Sequence, residues 1–319
     1  MKIRVLGADA LARACPMPEA IDAVEEGFRA LSAGRARVPL RLALPLREPD
    51  ASVLFMPAVM TQGDAASVKL VSVVPANRGR DLPVVQAAVV LVDVVTGTPQ
   101  ALLDGTALTA LRTGAAGGLA ARRLARADAR VVTVYGAGVQ ARSQLRALVA
   151  LRRFREIRVV ALHRDHAAAF ASEFSRPGVK IVVGGREAAR GADIVVCATT
   201  SAQPVFDAED LAPGAHVTGV GSYRPDMREI PPEAFAGALV VVDQKEAALS
   251  EAGELIAAVE RGIVKEGDLV EIGEERARRS SPDERTVFKS VGNAVQDLVV
   301  AERALLRAEA LGLGTVVEL

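Results

Sequence analysis

Residues 131–141 read VVTVYGAGVQA, and this stretch constrains the chain more than any other. A short apolar strand runs straight into Gly136-Ala137-Gly138-Val139-Gln140-Ala141, which opens a helical pattern ending near Leu151. Paired glycines alone mean little; between a strand and a helix they form the G-x-G-x-x-[GA] turn of dinucleotide sites. Gly136 permits the tight turn, Gly138 lets the backbone approach a pyrophosphate, and Ala141 allows close helix–strand packing. The unpaired N–H groups of the first helical turn then face the phosphates. Further apolar runs follow at 157–162, 179–183, 194–198, 217–220 and 239–242, with helical or turn segments between them, including 165–174. Val/Ile-rich strands alternating with helices predict a parallel sheet covered on both faces, that is, a doubly wound Rossmann-type α/β domain.

The tip of the second strand bears on which dinucleotide binds. In Ile157-Arg158-Val159-Val160-Ala161-Leu162-His163-Arg164-Asp165, an NAD site would place an acid near Ala161 or Leu162 to accept from the ribose 2′-hydroxyl. Neither is acidic, and the cationic candidates His163 and Arg164 suit a 2′-phosphate. NADPH is therefore expected ahead of NADH. Asp165 leaves a second reading open, as a ribose acid or as a helix N-cap.

The first third has a different texture. Pro18 opens a helix with Ile21, Val24, Phe28 and Leu31 on one face, closed by Gly34. Strand-like pieces at 41–46, 52–60, 68–74 and 84–95 follow with no helix between them, which predicts an antiparallel meander. An Ala-rich helix over 106–125 contains Gly114, Gly117 and Gly118. Interior glycines cost about 1 kcal/mol each relative to Ala, so close approach of another backbone or a ligand, or tight helix packing, is expected there. A last helix covers 290–311. The expected division is 1–113 with 302–319 as an α+β domain and 114–301 as the dinucleotide domain.

Composition excludes several functions. The 319 residues carry 39 basic and 39 acidic side chains, so a polyanion-binding role has no charge excess behind it. Trp is absent and aromatics make 3%, which removes base-stacking platforms; no nucleic-acid partner is expected. The apolar stretch 82–95 is broken by Gln86 and Asp93, too short and too polar for a membrane span. Cys15 and Cys197 form no framework or CxxC pair, and Cys197 reads as a buried inert thiol. Arg4 and Asp9 interrupt the N-terminus where a signal peptide needs an apolar core, so a cytoplasmic location is expected. His163, His166 and His216 have no metal-ligand spacing, and no metal is expected. Glu246, Glu251 and Glu254 read as a solvated helical face, and Arg276, Arg278 and Arg279 as a surface loop.

Two cations stand out. Lys69, one of only six lysines, sits in the alternating strand Ser67-Val68-Lys69-Leu70-Val71. It either points to solvent from an edge strand or is buried opposite a counter-charge or ligand. Arg112, in Leu108-Thr109-Ala110-Leu111-Arg112-Thr113, suits bidentate binding of a carboxylate or phosphate, and a structural salt bridge would look the same.

These residues also carry a resemblance. Lys69-Leu70-Val71, Asp93 with Thr96-Gly97-x-Pro99, Leu108–Thr113, Gly136-Ala137-Gly138-x-Gln140-Ala141, Ala198-Thr199-Thr200-Ser201, Val220-Gly221-Ser222, Arg228-Glu229 and Val287-Phe288-Lys289-Ser290-Val291-Gly292 follow one another along nearly the whole chain. In that order they resemble the ornithine cyclodeaminase/mu-crystallin family. The resemblance implies a Rossmann domain, plus a substrate and dimerisation domain built from the N-terminal region and the last helix, hence a homodimer. It implies that Arg41, Lys69 and Arg112 bind a substrate carboxylate and its polar neighbours. Arg112, Thr113, Gly136, Gly138, Val139, Gln140, His163, Arg164, Thr199, Val220, Gly221, Ser222 and Ser290 make up the expected cofactor site.

One departure narrows the activity. Cyclodeaminase members resemble one another in an aspartate two residues after the glycine matching Gly221; here that position is Tyr223. A phenol near pKa 10 is no substitute for a carboxylate base at neutral pH. The expectation is therefore a reductase similar to mu-crystallin as a ketimine reductase and to bacterial pyrroline-2-carboxylate/piperideine-2-carboxylate reductases. Its substrate would be a small cyclic 2-imino acid reduced by NADPH, or by NADH, to the L-amino acid. Lys69 is the expected proton donor, and Tyr223 either closes the pocket or packs. Rival readings are an alanine-dehydrogenase-like oxidoreductase, a cyclodeaminase, and a non-catalytic, crystallin-like NADPH-dependent binder.

Overall fold

The computed structural model describes residues Met1–Leu319. The chain forms two compact units, Met1–Arg112 with Asn293–Leu319, and Thr113–Gly292. The chain returns to the first unit at Asn293 rather than at 302, because the last helix is one uninterrupted element.

In the first unit β1 (Lys2–Leu6), α1 (Ala8–Ala14) and α2 (Met17–Ser32) precede β2 (Ala36–Arg37), β3 (Leu42–Pro45), β4 (Ser52–Met60), β5 (Ala65–Val73), β6 (Val85–Asp93) and β7 (Pro99–Asp104). The strands β3 to β6 pair antiparallel in sequence order, the meander expected from the absence of intervening helices, and β7 extends it antiparallel to β6. The structure adds β1, which pairs parallel with β7, and a C-terminal strand that pairs antiparallel with β1. The cross-strand row Met56, Lys69, Val89 and Leu103 is buried, whereas the adjacent row bearing Phe55, Leu70 and Ala88 faces the other way, with Leu70 exposed.

Helix α3 (Gly105–Leu124) carries the boundary between the units, after Arg112. In the second unit β8 (Val131–Tyr135), α4 (Val139–Leu151), β9 (Glu156–Val160), α5 (Arg164–Glu173), β10 (Lys180–Val183), β11 (Ile194–Cys197) and β12 (His216–Gly219) alternate as expected. Then come β13 (Leu239–Val242), α6 (Lys245–Glu251), α7 (Gly253–Glu260), β14 (Val270–Glu271) and β15 (Thr286–Lys289). All pair parallel, in the order β10-β9-β8-β11-β12-β15-β13-β14. Strand β8 shows why the runs are apolar throughout. Val132 and Val134 pack with Leu145, Leu148 and Phe170 on one face, and Val131 and Tyr135 pack with Phe206 and Val217 on the other.

The glycines of α3 meet α4. A Cβ at Gly114 would overlap Ser143, and one at Gly117 would overlap the Gln144 amide, whose Nε2 donates to the Thr113 carbonyl at 2.7 Å. At Gly114 and Gly117 the close approach is tight packing against α4.

Helix α8 (Ala294–Leu311) and β16 (Thr315–Glu318) complete the first unit. Asn293 caps α8 by accepting from Val295 N–H, and Gly312 ends it in the left-handed conformation at φ 64°. The helix packs on α2 and on β4, β5 and β6. Gly27 of α2 sits against Val299, and Arg303 and Arg307 both reach Glu19. No helix of the chain is long and apolar enough to cross a membrane.

Candidate active site

The first unit buries a charge cluster. Lys69 lies on β5, an inner strand between β4 and β6, so the edge-strand alternative for it does not apply. Its side chain stands in the buried row on the face that α8 packs against, and its Nζ donates to Asp297 Oδ2 at 2.7 Å. Arg112 is anchored to the same carboxylate, Nε to Oδ1 at 3.1 Å, and its Nη1 donates to Gln296 Oε1 at 2.6 Å. Asp297 is fully buried, so one carboxylate serves both cations. Burial and the neighbouring Arg112 charge push the Lys69 ammonium down to about 8; Asp297 opposes them, and the Arg41 charge adds to the depression. The charges of Arg112 and Arg41 thus both act on Lys69. Asp297 and Gln296 were missed in the sequence because an amphipathic helix normally shows its acids to water.

The second unit gathers most of the expected cofactor residues by topology alone. Its strands are parallel, so the segments after β8, β9, β11, β12 and β15 lie at one edge of the sheet, the carboxyl edge where such folds bind ligands. Gly136, Gly138, Val139 and Gln140 follow β8; His163 and Arg164 follow β9; Thr199 follows β11; Val220, Gly221 and Ser222 follow β12; Ser290 follows β15. Thr113 lies apart from these in chain position, in α3 beside Gln144.

The turn after β8 fits a dinucleotide. Gly136 has φ 112°, a left-handed value that favours glycine, and a Cβ there would overlap the Ala198 carbonyl. A Cβ at Gly138 would meet nothing within 4 Å, and Val139 is exposed, so the N-terminus of α4 is open to a pyrophosphate. At the tip of β9, His163, Arg164 and Asp165 are exposed, and the rings of His163 and His166 lie 5.2 Å apart, edge to face.

Below these loops lies a second buried cluster that the sequence did not announce. Lys289, fully buried at the end of β15, donates to the Ser222 carbonyl and hydroxyl, both at 2.7 Å, and pairs with Glu254 at 3.0 Å. Ser222 in turn donates to Glu254 Oε2. Glu254 therefore does not belong to a solvated face: only the other edge of its short helix reaches water. Asp243 accepts from the Ser290 hydroxyl at 2.8 Å and from the Val291 and Gly292 N–H groups at 3.0 and 2.8 Å, which fixes the turn after β15. Arg279 also departs from the surface-loop expectation. It donates to the carbonyls of Leu124, Gly214, Ser281, Pro282 and Glu284 and so pins its own loop. His216 is buried between the Thr286 and Thr218 hydroxyls, and burial pushes it down to about 3, so it stays neutral. Burial likewise raises the Cys197 thiol well above its ordinary range. Tyr223 is 40% exposed, beyond the buried Ser222.

Known proteins share this fold over nearly its full length. A Δ1-pyrroline-2-carboxylate reductase of Bacillus cereus is 37% identical over 324 aligned residues, covering 98% of this chain and 99% of its own. The Thermococcus litoralis Δ1-pyrroline-2-carboxylate reductase, solved in complex with NADH and L-proline, superposes with a TM-score of 0.92 at 37% identity, covering 98% of this chain and 99% of that one. An archaeal alanine dehydrogenase, solved as a dimer with bound NAD, also gives a TM-score of 0.92, at 34% identity, covering 100% and 99%. The sequence pattern of one family spans residues 4–310, taking in both the Lys69–Arg112–Asp297 cluster and the dinucleotide turn. The chain therefore belongs to the ornithine cyclodeaminase/mu-crystallin family.

Proposed function

We propose that this protein is an NAD(P)H-dependent reductase of small cyclic 2-imino acids, of the Δ1-pyrroline-2-carboxylate or Δ1-piperideine-2-carboxylate type, yielding the L-amino acid. The observation that carries the reading is the buried Lys69–Arg112–Asp297 cluster: two cations on one carboxylate, with the Arg41 charge acting on the same lysine. A buried surplus of positive charge is costly by itself and is relieved by a small anion. Arg112 is engaged through Nε and Nη1, and its Nη2 N–H groups are the donors we assign to the substrate carboxylate, with Arg41 assisting. Lys69 holds a proton at Nζ for the imine nitrogen, and with its pKa near 8 it gives that proton up readily at neutral pH. A bound dinucleotide supplies the hydride that the imine carbon accepts as the C=N electron pair moves to nitrogen.

The 136–141 turn with the segments at Thr113, Thr199, Val220–Ser222 and Ser290 holds that dinucleotide. His163 and Arg164 at the tip of β9, with no acid at Ala161 or Leu162, favour NADPH over NADH. The exposed sheet face with Leu42, Leu44, Leu70 and Leu102 supports a homodimer, since a monomer seldom leaves such an apolar face in water. We place the enzyme in the cytoplasm, a reading that its two free, buried thiols suit. The family's cyclodeaminase activity does not fit Tyr223. The second reading is an alanine dehydrogenase, favoured by the likeness to the archaeal enzyme.

A panel of substrates tests this: pyrroline-2-carboxylate, piperideine-2-carboxylate and pyruvate with ammonia, each with NADPH and NADH, followed by reduced-nicotinamide absorbance. Turnover of the cyclic imines ahead of pyruvate with ammonia is the expected result. The reverse order favours the alanine dehydrogenase, and binding of NADPH without any turnover makes the chain a carrier.

A further inference from the structure

Glu229 is fully buried at the foot of the loop after β12, and both of its oxygens are engaged by the cofactor-edge loops. Oε2 accepts from the Thr199 N–H at 2.8 Å and from the Thr199 hydroxyl at 3.1 Å. Oε1 accepts from the Gly221 N–H at 2.6 Å and from the Ser222 N–H at 3.3 Å. A Cβ at Gly221 would overlap the backbone of Thr199 and lie 2.6 Å from Glu229 Oε2, so the two loops are pressed together around this carboxylate.

We propose that Glu229 is a positioning residue that fixes the separation of the Thr199 and Gly221–Ser222 loops, and through them the seat of the nicotinamide. This inference rests on the reductase reading above. The two loops leave the carboxyl ends of adjacent parallel strands, β11 and β12, whose last shared ladder hydrogen bond runs from the Val220 N–H to the Cys197 carbonyl at 2.9 Å. Past that point one side chain supplies the common acceptor. Four donors converge on it, so the seated form is the carboxylate; an acid proton would have to face N–H groups. The ionisable groups around it are Lys289 from β15, Glu254 from α7 and Cys197 at the end of β11. Burial raises the pKa of Glu229 above its ordinary value, and Lys289 opposes that rise. The clamp therefore opens on the acid side.

The test compares wild type, Glu229→Gln and Glu229→Asp in three measurements. The first is backbone hydrogen exchange of the cofactor-free protein. The second is kcat with protonated and C4-deuterated NADH or NADPH across the pH range. The third is cofactor binding by fluorescence. Glu229→Gln sets an amide NH2 against N–H donors. Exchange in the segments around Thr199 and Gly221 should then rise while the rest of the unit keeps its protection. Its kcat should fall by about 100-fold, the cost of an ångström-scale misplacement. The isotope effect on kcat should grow as the hydride step becomes limiting, and the acid limb of the wild-type profile should vanish. Cofactor binding, held chiefly by the 136–141 turn, should weaken far less than kcat falls. If Glu229→Gln does not fold, the decision passes to Glu229→Asp and to the acid limb of the wild type. Wild-type activity with unchanged exchange and unchanged kcat in the folded variants, or a wild-type profile with no acid limb, overturns the inference. A wild type that reduces no imino or oxo acid overturns the reductase reading instead, and exchange alone then judges the clamp.

Discussion

In the first unit Lys69 and Arg112 share the single carboxylate of Asp297, so buried cations outnumber buried anions. In the second unit Lys289 faces Glu254 and lies close to Glu229, so the anions outnumber the cation. The anion surplus is answered inside the protein: N–H and hydroxyl groups of Thr199, Gly221 and Ser222 satisfy the carboxylates. No second carboxylate meets Lys69 and Arg112, and burial, with the Arg112 charge second, lowers the pKa of Lys69. A buried charge network closed by its own backbone holds loops in place, whereas one left with net charge is prepared for a ligand of opposite sign.

That contrast can be broken most sharply at Lys69. Lys69→Ala should lower kcat/KM for the imino acid by about 100- to 10,000-fold, the range of a lost general acid, while NADPH still binds. Near-normal turnover would move the proton donor elsewhere. Next in size are the counter-ions. Asp297→Ala strands two buried cations and Lys289→Met strands Glu254, and each should cost about 3–5 kcal/mol in urea unfolding. The double change Lys289→Met with Glu254→Leu should recover part of its loss, because an apolar pair replaces an ionic one. Asp297→Ala should in addition push Lys69 further down. Equal stabilities for all of these variants would mean that neither cluster is as buried as described.

The pH profile sharpens the comparison. With Lys69 at about 8 the donor form is lost as pH rises through that value, so kcat/KM should fall on the alkaline side, by about tenfold per pH unit. Stability runs the other way. Between about 8 and the ordinary lysine value near 10.5 the unfolded chain binds the proton that the folded chain has released. Lys69 therefore makes unfolding harder as pH rises through that window, and below about 8 its full burial penalty is present. Calorimetry of wild type against Lys69→Met should show that slope difference. The smallest effect is expected at the exposed tip of β9. Arg164→Ala should weaken NADPH by about tenfold, the value of one charge-assisted contact, and leave NADH unchanged. Equal losses for both would place the 2′-phosphate elsewhere.

Much of this was legible in the linear chain because it is local. The turn 136–141, the all-apolar strands of a sheet buried on both faces and the meander without helices are patterns of a few residues each, and periodicity reports them. Strands β1, β7, β15 and β16 were not foreseen. Each is only four to six residues long, and each becomes a strand through the neighbour it pairs with.

The site divides the same way. Sequence alone picks out Lys69 and Arg112 as cations in apolar company, and the glycines of the 136–141 turn as the expected pyrophosphate seat. Whether Lys69 faced water or a counter-charge it could not decide, since alternation on a strand names two faces without saying which is covered. The tertiary structure decided that by laying α8 on the Lys69 face, which brings in Asp297 from 228 residues away. Likewise Glu254 looks like an ordinary surface acid until β15 delivers Lys289 beneath it. Charge pairing across such separations depends on which elements pack together, and no local pattern encodes it.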